Sequence, residues 1–177
     1  MHIHATSRQS RVRVNLRAIR ELAQHLVRHL TRTAAAPLAR ITFIVTGDTG
    51  IREVKSRCFG IDAVTDVVAA AYEPVPGDEE GGWTAEVVVN AERAAGTPLR
   101  SATWSPDKEL ALYIAHGIDH LCGGRDDTAR GRNAMRRREL RWLKAAAAAG
   151  LLDGLLAARK QARTARPRPD WTEAHAD

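Results

Sequence analysis

The sequence predicts a single domain of mixed α and β structure, and three observations carry that expectation. The chain has 177 residues, which suits one hydrophobic core. Its apolar fraction is 44% with only 5% aromatic residues, so packing has to rest on Ala, Val, Leu and Ile. Two hydrophobic patterns occur along it: runs rich in β-branched residues, and runs whose apolar positions recur at helical spacing.

Taken in order, Ile3 to Thr6 reads as a short strand. Asn15 is a good N-cap for a helix whose apolar side is Leu16, Ile19, Leu22, Ala23, Leu26, Val27 and Leu30. Ala34 to Pro37 reads as a loop and Arg40 to Thr46 as a strand. Gly47 to Gly50 turns the chain into a short helix, Ile51 to Phe59, closed by Gly60. Val64 to Tyr72 is a third strand, Pro74 to Gly82 an acidic Gly/Pro-rich loop, and Thr84 to Asn90 a fourth strand. Ser105 then caps a helix with Pro106 at its first position, and Asp107 and Glu109 place negative charge where the helix dipole favours it. Leu110 to Cys122 is apolar nearly all round, which predicts a buried helix. Thr128 to Gly150 reads as the last helix, with Ala134, Met135, Leu140 and Leu143 as core contacts and Leu151 to Ala158 as an extension. Residues 1–158 are expected to form the domain. Pro167, Pro169 and dense charge make 159–177 a basic, disordered tail. No internal repeat is visible.

Chemistry concentrates in the buried helix. His116 and His120 stand four apart, so on a helix they share a face. Two neutral imidazoles on one face can grip a divalent ion, Zn²⁺ above all. Gly123-Gly124 stops the helix, and Asp126 follows where the chain can fold back to offer an oxygen. Two nitrogens and one oxygen leave a coordination position open, as catalytic zinc sites do. The plainer alternative is two core histidines bonded to backbone carbonyls. His25 and His29 have the same spacing, but no glycine turn or carboxylate follows them, so they are read as a decoy. Cys122 is read as core. The zinc-peptidase pattern His-Glu-x-x-His is excluded, because Gly117 stands where its glutamate would be. Asp119 projects about 100° from His120 around the helix; it is a weak catalytic candidate and a better partner for a ligating histidine.

The net charge of +6 points to a polyanionic partner. Arg125, Arg130, Arg132, Arg136, Arg137, Arg138, Arg141 and Lys144 crowd the segment after the histidines. The plain reading is a solvated helix face; the placement favours phosphate-backbone binding, with Arg130, Arg132, Arg136 and Arg137 as the contacts. Arg57 and Arg100 are weak candidates for phosphate contacts, and Arg57, like Asp119, is a weak catalytic candidate. No apolar run is long enough to cross a bilayer, and the first residues lack the pattern of a secretory signal. Two cysteines, Cys58 and Cys122, build no disulfide framework. A cytoplasmic location with no membrane partner is therefore expected.

His116-Gly-Ile-Asp-His120-Leu-Cys-Gly123 resembles the His-Gly-x-x-His-Leu-x-Gly core of the YbeY family of bacterial metal-dependent endoribonucleases. Gly60-Ile-Asp62-Ala-Val-Thr65-Asp66-Val67-Val68 is similar to the family's Gly-x-Asp-x-Pro-Thr-Asp-Val-Leu segment. Ala85-Glu86-Val-Val-Val89 is similar to its Gly-Asp-Ile-x-Ile strand, and Ala134-Met135 with Glu139 to its last helix. Order and spacing agree from about residue 3 to residue 145.

The resemblance implies a zincin-like α+β fold: a small mixed sheet packed against helices, with the metal-binding helix buried on it. It implies a zinc-dependent, single-strand-specific endoribonuclease, one ion per chain, acting in 16S rRNA 3′-end maturation and ribosome quality control. The implied partner is rRNA or a ribosomal subunit. The family's third histidine ligand maps to Asp126, with Asp127 as the alternative. Other departures are Phe59 in place of the family's arginine before the glycine, Val64 for its proline, and Ala69-Ala70 for its Ser-Phe. These departures support a rival reading, a non-catalytic RNA- or ribosome-associated protein with a degenerate metal site. A third reading, a small-molecule hydrolase, predicts no salt-dependent RNA affinity.

Overall fold

In a computed structural model, which describes residues 1–32, 38–74, 77, 82–96 and 103–156, the β-branched runs pair into one four-stranded sheet. Its strands are β1 (His2–Ser7), β2 (Leu38–Thr46), β3 (Val67–Tyr72) and β4 (Trp83–Asn90), in the order β1-β2-β4-β3. β1, β2 and β4 run parallel, and β3 pairs antiparallel with β4. The result is the mixed sheet and α+β class expected. Ile41, Phe43 and Val45 of β2 lie on one face with Val87 and Val89 of β4, while Ile44, Val68 and Val88 lie on the other. β2 is thus buried on both faces, which is why its sequence is a continuous apolar run rather than an alternating one.

Helices α1 (Leu16–Leu26) and α4 (Pro106–Leu121) cover the first face. Asn15 caps α1 by accepting from the Ala18 amide at 3.1 Å, and Ile19, Leu22, Ala23 and Leu26 are fully buried. α1 ends earlier than expected: Val27–Arg32 tightens into a 3-10 turn, which still buries Leu30. The second face carries α2 (Asp48–Phe59), whose Ile51 packs on Ile44, Val68 and Val88. The expected turn at 47–50 is the start of this helix.

α4 is the central element. Ser105 accepts from the Lys108 amide at 3.2 Å as the N-cap, and Leu110, Ala111, Ile114, Ala115 and Ile118 are fully buried. Each side chain of Leu or Ile size buried there contributes about 1.5–3 kcal/mol. Gly117 lets α4 lie against the sheet, because a Cβ at that position would stand 2.5 Å from Val87 Cγ1 and 3.0 Å from Val67 Cγ2.

Three further differences have physical causes. β3 starts at Val67 rather than Val64, because the buried Asn90 takes the preceding residues: its backbone amide donates to Asp66 O at 2.9 Å and its side chain to Thr65 O at 3.1 Å. A short helix, α3 (Ala91–Gly96), follows β4 with Asn90 as its cap, accepting from the Arg93 amide at 3.0 Å. The last helix, α5 (Ala129–Ala148), is capped by Thr128 and buries Met135 and Leu143, but Leu140 is 40% exposed and is not a core contact. Nor does 151–156 extend it. Gly150 takes φ +70°, and the strap beyond turns back to bury Leu152 and Leu155. Its Gly154 and Leu156 amides donate to the Asp107 carboxylate at 2.9 and 2.6 Å, and Leu156 bridges to Val14. The loop expected at Ala34–Pro37, most of the acidic loop, and the tail at 159–177 lie outside the described residues.

Candidate metal centre

The end of α4 builds the site. The amide of Gly124 donates to Asp119 O and that of Gly123 to His120 O, both at 2.9 Å, with Gly123 at φ +83°. This is a Schellman termination, which needs a left-handed residue at that position and so favours glycine. It turns the Gly124 carbonyl back over the helix, where it accepts from His120 Nδ1–H at 3.1 Å. One turn earlier, His116 Nδ1–H donates to Glu139 Oε1 of α5 at 2.6 Å. Glu139 is 3% exposed, so this carboxylate is committed to the histidine.

These two bonds fix both tautomers. A carbonyl only accepts, so His120 carries its proton on Nδ1; the Glu139 carboxylate holds the His116 proton on Nδ1 likewise. Both Nε2 atoms then present lone pairs, and they face one another at 3.2 Å. Asp126 brings a carboxylate oxygen to 3.7 Å from His116 Nε2. The three ligand atoms lie within 4.8 Å of one another, the one such His/Cys/Asp/Glu group among the described residues. Facing lone pairs repel unless a proton or a cation stands between them. Two nitrogens on one tetrahedral zinc lie about 3.3–3.4 Å apart, from bonds of about 2.0–2.1 Å, so the residues present fit a divalent ion. Burial opposes charge on His116, but its hydrogen bond to Glu139 and the carboxylates of Glu139, Asp66 and Asp126 outweigh it and hold its pKa above the ordinary imidazole value.

With the histidine helix, its glycine turn and the mixed sheet in place, residues 4–147 match the family model described as Endoribonuclease YbeY. The chain belongs to the YbeY family. An Endoribonuclease YbeY of Anaeromyxobacter sp. (strain Fw109-5) is 30% identical over 172 residues, covering 97% of this chain and 84% of that one. Another, from Geobacter sulfurreducens, is 29% identical over 126 residues, 70% of this chain and 79% of the relative. The solution structure of a Thermotoga maritima protein aligns with a TM-score of 0.52 at 17% identity, over 90% of this chain and all of that one, and shares the fold.

The remaining candidates of this YbeY family member fall on both sides of the sheet. A groove of about 520 Å³ opens from His116 along α4, and Arg132 and Arg136 of α5 line it with His116 and Asp126. Arg130 and Arg137 are exposed on α5 and do not line it. Arg57 is not brought to the histidines: it lines a separate groove, with Arg8, Tyr72 and Glu86, on the face that α2 covers. Asp119 is 1% exposed and gives its carboxylate to Arg138, with contacts of 2.8 to 3.1 Å, so it pins α5 to α4 rather than facing the groove. Asp127 pairs with Arg125 at 3.0 Å, outside the ligand group. His25 and His29 form no such group; His29 stacks on Trp142. Cys122 packs against the core. Arg100 lies outside the described residues.

Sequence reasoning missed three residues at the site. Glu139 was legible only as part of a family pattern, Asp66 only as part of another, and Arg93 not at all, because it rides on the unforeseen α3. Asp66 and Arg93 both line the groove.

Proposed function

We propose that this chain is a zinc-dependent, single-strand-specific endoribonuclease of the cytoplasm, acting in 16S rRNA 3′-end maturation and ribosome quality control. The observation that carries the reading is the pair of tautomer-locked Nε2 atoms 3.2 Å apart, with the Asp126 carboxylate beside them. Family membership supports RNA as the substrate class. His116, His120 and Asp126 would hold the ion. When bound, a divalent cation supplies Lewis acidity toward a phosphate oxygen and lowers the pKa of water to about 7.

The rest is work for the protein's own groups. Glu139 holds His116 in its ligating tautomer and raises its basicity, and the Gly124 carbonyl does the same for His120. Arg132 and Arg136 offer guanidiniums to phosphate oxygens along the groove. Gly117 leaves no room for a glutamate base, since even a methyl group there meets Val87; a peptidase mechanism of the His-Glu-x-x-His kind has no base here.

The test is cleavage of a single-stranded RNA by the purified chain, with and without EDTA, alongside metal analysis. Expected are one zinc per chain, cleavage in the absence of chelator, and loss of both in His116→Ala. One observation favours the rival: Phe59, 56% exposed, presents no cation where the family carries arginine. RNA bound but never cut by the zinc-loaded chain would establish that rival, a binding protein with a degenerate site.

A further inference from the structure

The groove has walls that the ligand set does not use. Its floor is α4, whose Glu109, Leu112, Tyr113 and His116 face it over two turns, roughly 10 Å at the helical rise. α5 flanks α4 and contributes Arg132, Asn133, Arg136 and Glu139, which fall on one helical face. α3 also packs on α4 and contributes Arg93, an exposed side chain on a short helix whose Ala91 and Ala94 are fully buried. Arg93 is therefore carried on an anchored element, one that joins the groove directly to the end of β4.

Arg136 is held in a stated direction. Its guanidinium carbon lies 5.5 Å from the centroid of the Trp104 ring, within cation–π range. The ring is itself fixed, because Trp104 Nε1–H donates to Glu109 Oε2 at 2.6 Å and Glu109 is 2% exposed. A buried carboxylate thus orients an indole, and the indole orients an arginine at the groove. Such preorganisation reduces the ordering entropy that a long side chain loses when it binds an anion.

We infer that Arg93 on α3 and Arg132 and Arg136 on α5 form a phosphate clamp for single-stranded RNA, holding backbone phosphates beside the one at the histidines, with Trp104 and Glu109 as positioning residues for Arg136. The inference rests on the RNA reading above and adds to it the residues that seat the strand, Arg93 and Trp104 among them. Phosphate contacts fix register without reading bases, so the clamp binds strands of different sequence alike.

The experiment is a salt titration of binding, read before turnover by stopped-flow fluorescence anisotropy with a labelled 12-nucleotide single-stranded RNA and the zinc-loaded full chain. Each phosphate neutralised on a single strand contributes about 0.7 to the slope of log affinity against log salt. Arg93→Ala should lower that slope by about 0.7 and the triple Arg93→Ala/Arg132→Ala/Arg136→Ala variant by about 2. Arg93→Lys should keep the slope, because it keeps the charge; a purely structural role for the side chain would not be rescued this way. Trp104→Leu should weaken binding while a circular dichroism melt stays that of a folded protein. Arg17→Ala, an exposed side chain paired with Glu21 on α1, is the control and should change nothing. If Arg93→Ala matches Arg17→Ala while the wild type binds RNA, the clamp is overturned and the nuclease reading stands. If the wild type binds no RNA at low salt, both are overturned.

Discussion

Glu139 shows how one residue ties the fold to the site. It is buried, and from the α5 wall of the groove it accepts the Nδ1–H of His116. Glu139→Gln keeps the shape and an accepting oxygen but removes the charge. We expect about 10- to 100-fold weaker zinc binding, measured by competition against a chromophoric chelator, with the melting transition little changed. Arg138 makes the complementary case for stability. Its loss leaves the Asp119 carboxylate buried and unpaired, which costs about 3–5 kcal/mol for a fully buried pair. The Arg138 side chain is 35% exposed, so Arg138→Ala should fall toward the low end of that range in a urea titration. The sign with pH is fixed. Burial already raises the Asp119 pKa against the pull of Arg138. A carboxyl group whose folded-state pKa lies above its unfolded value favours the fold most when protonated, and that contribution is lost as pH rises through the interval between the two. Without Arg138 the interval widens upward, so the deficit of the variant should be largest at neutral pH and shrink on acidification. A deficit that grew toward acid would mean that Asp119 is not the unpaired group.

At the scale of elements, α4 against the sheet is the contact on which the ligand geometry depends. Gly117→Ala gains up to about 1 kcal/mol of helix propensity but forces a methyl group to 2.5 Å from Val87 Cγ1, on a strand buried on both faces. Overpacking of this kind costs about 1–3 kcal/mol, and shifting α4 carries His116 and His120 with it. We expect a lower melting temperature and weaker zinc binding together, both recovered in part by Gly117→Ala/Val87→Ala, which opens space for the methyl group. Most of the elements were legible in the sequence because their own residues specify them: the β-branched runs, the Asn15 and Ser105 caps, and Gly123 at the end of α4. The start of β3 and the strap at 151–156 were not legible. Asn90 sets the one and Asp107 the other, through hydrogen bonds between segments far apart in the chain. Within the site, the convergence of His116, His120 and Asp126 followed from spacing and a glycine turn. Which arginines share the groove did not, because every arginine of α5 has the same local sequence character and only the docking of α5 on α4 selects Arg132 and Arg136.

For the whole molecule, net charge is a poor guide to where RNA lies. The chain carries +6, yet the groove beside the histidines gathers four carboxylates, Asp66, Glu109, Asp126 and Glu139, against the three guanidiniums of Arg93, Arg132 and Arg136. With His116 at its floor also able to carry a proton, the ion-free groove is close to balanced in charge, and a phosphate chain meets little net attraction there. A divalent ion on His116, His120 and Asp126 would add two positive charges in a concave, partly desolvated place, where screening is weaker than at an exposed surface. On the proposed function, metal and RNA binding are coupled, and by linkage each strengthens the other by the same factor. Chelation should weaken RNA binding as well as cleavage. The measurement is stopped-flow anisotropy of a single-stranded RNA, read before turnover, for zinc-loaded protein, for EDTA-treated protein and for the latter with zinc restored. We expect several-fold tighter binding in both zinc arms at low salt, with the difference narrowing as salt rises. Equal affinities in all three arms would mean that the strand is held on the outer basic face of α5, around Arg130 and Arg137, and not in the groove.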